Sequence, residues 1–185
     1  MIQHKIIVID LETTGLYPER GDRIVEIGAV PIIDDEVMLC EGFDSLVDPG
    51  IPIPPHITKI NSITDEMVKG APKIEEVLPR FLSYIKGFPL VAHNAPFDIG
   101  FLQHYIKKIG LEPLHNRFVD TLELSKAVFS ESTGHSMDAL LHRLGIEYDP
   151  KARHRSMEDA YLTALSYLRL KRMLKPAPLT NHHQK

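Results

Sequence analysis

Asp10 and Glu12 stand two residues apart at the end of an apolar, β-branched run, KIIVID at residues 5–10. Side chains of a strand alternate faces, so the two acids point the same way. Two like charges on one face of a core strand repel each other and resist desolvation. A divalent cation removes both objections. The pair reads equally as a strand end already in solvent, with Thr13-Thr14-Gly15 as its turn. Asp98 lies three, four, seven and eleven residues before Phe101, Leu102, Tyr105 and Ile109, and so shares the buried stripe of an amphipathic helix. An acid in a first helical turn also satisfies free backbone N–H groups and the helix dipole, and that reading suits Asp98 taken alone. In RHRSMEDA, His154 falls on the lead-in to a helix and Asp159 on its first turn. A histidine there suits a general base. Ser156-x-x-Asp159 also resembles a capping box, which would leave His154 an ordinary surface residue.

Taken together, four carboxylates and a histidine fall at element ends beside apolar faces. Carboxylate and water ligands select Mg²⁺ or Mn²⁺ over zinc. Such a set suits displacement at phosphorus assisted by two ions about 3.5–4 Å apart.

The elements that must carry these residues follow from periodicity. Lys5–Asp10, Ile24–Ile33 and Val37–Val47 read as three strands, the last two paired as a hairpin through the polar turn Asp34-Asp35-Glu36. The proline-rich stretch 49–55 is a loop. A helix starts at Thr64 with Asp65 and Glu66 in its first turn, and Ile74, Val77, Leu78, Phe81, Leu82 and Ile85 continue a helical stripe. A short buried strand spans 89–93. Pro96 opens a helix stopped by Gly110. Further helices cover 120–128 and 136–144, and a last one carries Met157, Ala160, Tyr161, Ala164, Leu165 and Leu168. The order predicts a mixed α/β fold, an antiparallel front end with a later strand added and helices packed on the sheet.

The chain's 185 residues suit one domain, spanning 1–175, followed by a polar, proline-punctuated tail at 176–185 that reads as mobile. Hydrophobic residues at 43% and charged residues at 25% are those of an ordinary globular chain and exclude disorder, collagen and coiled coil. No apolar run approaches the ~18 residues of a membrane span, and the N-terminus lacks the shape of a signal peptide. The lone Cys40 can form no internal disulfide, which points to a reducing cytoplasm. A net charge of −4 argues mildly against a nucleic-acid binder, but its distribution says something different. Residues 1–50 hold three basic side chains against eleven acids, whereas residues 151–175 hold seven against two. An acidic first third and a basic last helix suit a cation centre beside a surface that meets phosphates, and they are also what ordinary solvated faces look like.

These motifs together resemble the DnaQ-like 3′–5′ exonucleases of the class named for four acids and a histidine (DEDDh), the family of bacterial proofreading subunits and polymerase-borne exonuclease domains. The matching stretches are VIDLETTGL at 8–16 with IVEIGAV at 24–30, HNAPFDIGFL at 93–102, DTL at 120–122, HSMDAL at 135–140, and His154 through Ala160. They occur in family order over about residues 5–172. The resemblance implies a ribonuclease H-like fold whose mixed central sheet has three antiparallel strands plus later parallel ones. It implies two divalent ions, Mg²⁺ or Mn²⁺, held by Asp10, Glu12, Asp98 and Asp159, with His154 taking the proton from the attacking water. Thr13, Gly15, Leu16, Phe97 and Asn94 would contact the terminal nucleotide. The implied substrates are single-stranded or frayed DNA 3′ ends, with RNA ends as the alternative, and a DNA polymerase subunit is an implied partner. A third possibility is a non-catalytic module that binds nucleic-acid ends or a polymerase.

Three residues, in two stretches, depart from the family pattern. Asn61-Ser62 stands where relatives often have His-Gly, which bears on a nucleotide contact near 61, and Ser156 replaces a frequent alanine. Other chemistries lack their residues. There is no GxSxG elbow, no phosphate-binding GxxxxGK[ST] loop, no multi-cysteine zinc set and no His-Asp dipeptide. His93 reads as a strand-end histidine satisfied by its neighbours.

Overall fold

A computed structural model describes residues 4–174. The tail at 176–185 expected to be mobile lies outside the described residues. The elements in chain order are β1 (Lys5–Thr13), β2 (Ile24–Ile33), β3 (Glu36–Val37), β4 (Phe43–Leu46), α1 (Pro55–Asn61), α2 (Asp65–Val68), α3 (Ile74–Ile85), β5 (Leu90–Ala92), α4 (Ala95–Ile109), β6 (Phe118–Asp120), α5 (Thr121–Val128), α6 (Met137–Leu144) and α7 (Ser156–Leu174).

One mixed sheet runs in the order β3-β2-β1-β5-β6, with β4 also on β2. β1, β2, β3 and β4 pair antiparallel, and β1, β5 and β6 pair parallel. The expected hairpin forms, its reversal made by Asp34 and Asp35 with φ of 50° and 68°. The two faces of β1 divide the core. Ile7, Ile9 and Leu11 pack with α3 and α4 residues such as Phe81, Phe101 and Leu102. Val8 packs instead with Ala160, Ala164 and Leu168 of α7. By the strand's alternation Asp10 and Glu12 continue the Val8 row, so an apolar row under α7 becomes acidic where α7 begins.

Several sequence expectations are corrected. β1 continues to Thr13, so Asp10 and Glu12 lie within the strand and not at its solvated end. The strand expected over Val37–Val47 is two short ones, because Leu39–Glu41 turns into a 3-10 segment and lifts the chain off the edge. The helical stretch from Thr64 to Ile85 is two helices parted by Gly70, whose φ is 79°. Helix α1, opened by Pro55, and the three-residue β6 were not expected. The helix start expected at Asp120 holds as an N-cap: Leu122 N–H donates to its Oδ1 at 2.9 Å.

Candidate active site

A cavity of about 240 Å³ opens at the C-terminal end of β1. Asp10 and Glu12 reach it from β1, Asp98 from the first turn of α4, Asp159 from the first turn of α7, and His154 from the loop before α7. All five expected chemical residues line it, together with Thr13, Gly15, Leu16 and Phe97. Asn94 does not. It caps α4 in a left-handed conformation, and its backbone N–H donates to Asp120 Oδ1 at 2.9 Å. A larger groove of about 840 Å³ lies elsewhere, between the ends of α3 and α4, but its lining is mostly apolar and Glu112 is its one acid. Size alone does not locate the chemistry.

Local sequence explains each placement. The Asn94 turn and Pro96 start α4 so that Asp98 falls in its first turn, facing the strand. There its Oδ1 accepts the Leu11 backbone N–H at 3.1 Å, and only 3% of Asp98 is exposed. Asp98 lies on the buried stripe, and the N–H it accepts comes from Leu11 of β1, across the contact between strand and helix. Gly15 leaves room for Asp22: a Cβ there would sit 2.3 Å from the carboxylate that accepts the Tyr17 N–H, so that side chain would have to move. The Thr13 hydroxyl is already committed, donating to Gly15 O at 2.6 Å. Leu16, next in the chain, is left 63% exposed at the cavity mouth.

The expected capping box does not form. Ser156 Oγ is buried with no hydrogen-bond partner, and Asp159 accepts instead the His154 backbone N–H at 3.4 Å. His154 is half-buried and lines the cavity. Glu12, His154 and Asp159 each offer a ligand atom within 4.8 Å of the others, a set that could hold a metal ion.

The carboxylates are costly as they stand. Burial first, then the charges of Asp98, Asp159 and Glu12, push the Asp10 carboxyl well above its ordinary range. Burial raises Asp98 likewise, against the backbone hydrogen bonds that favour its ionised form. Burial and the Asp159 charge push Glu12 up to about 8. Asp159 is raised by burial, while the guanidinium of Arg153 pulls it back. Four acids in one cleft cannot all ionise without added positive charge, and hard oxygen donors suit a hard divalent cation. The residues present therefore fit metal binding.

Sequence reasoning missed several neighbours. Ile57 and Ile60 of α1 line the same cavity, with Ile60 53% exposed. α1 escaped notice, so they did too. The Asn61 side chain stands near enough to the Glu12 carboxylate to oppose the rise in its pKa, while its Oδ1 accepts the Ile63 N–H at 3.0 Å. The departure at 61 thus bears on an acid of the cluster. Buried Arg153 pairs with Asp159 and, through Nε at 3.2 Å, with Asp138. His93 is held by Thr121, Nδ1 to Oγ1 at 3.0 Å, and burial lowers its pKa. It is satisfied as expected, although it too borders the cavity.

Residues 7–167 match the model of the exonuclease family, and the chain belongs to that family. A DNA polymerase III subunit epsilon-like protein of Rhodobacter capsulatus is 48% identical over 174 residues, covering 94% of this chain and 25% of the relative. A PolC-type DNA polymerase III of Caldanaerobacter subterraneus subsp. tengcongensis is 41% identical over 169 residues, covering 91% and 12%. The chain thus spans a quarter or less of the length of these curated relatives. The solved structure of Exonuclease X in complex with 5′ overhanging duplex DNA aligns with a TM-score of 0.73 and 28% identity, covering 93% of this chain and 94% of that one. The nuclease domain of 3′hExo, a DEDDh family member bound to rAMP, aligns with a TM-score of 0.77 at 20% identity over 91% and 92%. The mixed α/β architecture is the ribonuclease H-like fold of these nucleases. No helix among the described residues is long and apolar enough to cross a membrane.

Proposed function

We propose that the protein is a metal-dependent 3′–5′ exonuclease that removes nucleoside monophosphates from DNA 3′ ends. The observation that carries this is the meeting of Asp10, Glu12, Asp98, Asp159 and His154, from three separate stretches of the chain, in one cavity. The similarity to epsilon-like and PolC-type DNA polymerase III, and to a DNA-bound exonuclease, favours DNA and a role beside a polymerase.

The four carboxylates would hold two Mg²⁺ or Mn²⁺ ions, which supply positive charge to the phosphate and to the attacking and leaving oxygens. His154 takes a proton from the attacking water. Water adds to phosphorus, the bond to the 3′ oxygen of the penultimate nucleotide breaks, and that oxygen takes a proton from solvent water to become the new 3′ hydroxyl. Leu16 and Phe97, with Ile60 opposite, offer apolar surface for the terminal sugar and base. Backbone amides at Thr13 and Gly15 would meet its polar edge.

The test is digestion of matched 5′-labelled DNA and RNA single strands with Mg²⁺, Mn²⁺ or EDTA, beside an Asp10→Ala control. A metal-dependent ladder shortening from the 3′ end, faster on DNA and lost in the control, is the expected result. A faster RNA ladder would make the protein an exoribonuclease. End binding without turnover would make it a non-catalytic module.

A further inference from the structure

His154 is one of five non-glycine residues with a left-handed backbone among those described, with φ of 62°. Two of the others form the β2–β3 turn, and Ser62 and Asn94 flank helices. L-residues disfavour this conformation, and it persists where surrounding contacts enforce it. The two residues that follow His154 are held from β2. Glu26 lies on β2, opposite Glu12 in register and only 1% exposed. It stands in the same strand row as Gly28, Val30 and Ile32, the row that α7 covers.

Glu26 is nonetheless unlike the four acids of the cavity. It does not line that space, and its oxygens are committed to donors from the residues after His154. Arg155 Nε donates to both Oε1 and Oε2 at 3.1 Å, and Arg155 Nη2 also contacts Oε1. The Ser156 backbone N–H donates to Oε2 at 2.8 Å, so a strand carboxylate caps α7 where the Ser156 hydroxyl does not. On the other side of His154, Arg153 is tied to Asp159 and Asp138. The histidine therefore sits between two anchored arginines.

We propose that Glu26 is a positioning residue: through Arg155 and the Ser156 N–H it fixes the left-handed turn that presents His154 to the cavity. This rests on the reading of His154 as the base. Charge-assisted bidentate pairing gives the geometric precision that the task needs, and displacement of a reacting group by about 1 Å can cost ~10²-fold in rate.

The test is a double-mutant cycle on the full chain, assayed well below each variant's Tm with 5′-labelled single-stranded DNA and Mn²⁺. Glu26→Gln should lower kcat by up to ~10²-fold with KM and the Mn²⁺-induced thermal shift unchanged. In a His154→Ala background the same substitution should change kcat by less than about twofold. Arg155→Met, which removes the contact from its exposed side, should behave alike and serves if Glu26→Gln folds poorly. Equal fold-losses in both backgrounds would overturn the proposal, as would a Glu26→Gln enzyme with wild-type kcat. A second readout separates the clamp from the base. In [¹⁵N]histidine-labelled protein, Glu26→Gln should shift the His154 resonances and leave those of His93 in place. Unmoved His154 resonances would overturn the clamp whatever the rates, whereas wild-type turnover by His154→Ala alone would overturn only the assignment of the base.

Discussion

The Leu11 backbone N–H donates to Asp98 Oδ1 at 3.1 Å, joining residues 87 positions apart in sequence. This bond ties the start of α4 to the strand that carries Asp10 and Glu12. It fixes one oxygen of Asp98 at a buried point beside two other acids. The site is therefore assembled by backbone pairing as well as by its side chains.

Asp98→Asn keeps the shape but replaces a buried carboxyl whose ionisation is opposed by burial. The metal-free variant should melt higher than wild type at pH 8, by roughly 4 °C for a gain of one to two kcal/mol. It should lose most of the stabilisation that Mn²⁺ gives the wild type, and its turnover should fall at least ~10²-fold. Thermal melts with EDTA and with Mn²⁺ check this. A variant that melts lower than wild type in EDTA would show that the carboxylate is not destabilising.

The metal-free protein should become less stable as pH rises. Glu12 has an ordinary value of 4.5 and is pushed to about 8 in the fold. The folded state thus binds a proton that the unfolded state has already released. That contribution is fully present below 4.5 and is lost as pH climbs through about 8. Asp10 and Asp98 are raised in the same direction. Added Mn²⁺ prefers ionised carboxylates, so its stabilising effect should grow over the same window. A series of melts from pH 5 to 8.5 in EDTA reads this directly, and a melting temperature unchanged across the series would contradict it.

Gly28 lets α7 lie against the backbone of β2. A Cβ there would come within 2.3 Å of the Ser156 carbonyl carbon and 2.5 Å of the Met157 nitrogen. Gly28→Ala should cost about 1–3 kcal/mol and lower turnover, because the displaced helix carries Asp159. Gly100 offers the contrast. It is helical, and nothing lies within 4 Å of its added Cβ. Gly100→Ala should stabilise α4 by about 0.5–1 kcal/mol. Urea unfolding of both variants would show opposite signs.

Leu16 is 63% exposed, so its truncation should barely change stability. At the mouth of the cavity it can cover a terminal base, and Leu16→Ala should raise KM for single strands by about tenfold, the loss of roughly 1.4 kcal/mol of apolar contact. Steady-state kinetics on a single strand test this. An unchanged KM would remove Leu16 from the substrate surface.

Much of this was legible in the sequence. β2 was read with its full bounds because ten consecutive residues are apolar or β-branched apart from Glu26, Gly28 and Pro31. Helix α4 was marked by Pro96 and Gly110, which is why Asp98 could be placed on its inner face. The acids stood out because propensity does not put carboxylates in such rows. Shorter signals were lost. Phe118–Asp120 spans three residues, too few for a two-residue period to register, and α1 begins inside a proline run that reads as loop. Ser156 looked like its own helix's cap, whereas a strand residue 130 positions away supplies the acceptor. No local pattern announces a partner at that distance.

The alternation of β1 has a consequence for folding errors. Its odd-numbered apolar residues face α3 and α4, and the even-numbered row carries Asp10 and Glu12 toward α7. A pairing slip of one residue would exchange the rows, driving two acids into the apolar layer and setting Ile9 and Leu11 where Asp10 and Glu12 belong. A misregistered chain would therefore lose its core and its chemistry in the same step. Turnover then serves as a census of correctly paired β1 strands, and a preparation's specific activity reports strand register that a circular dichroism spectrum would miss.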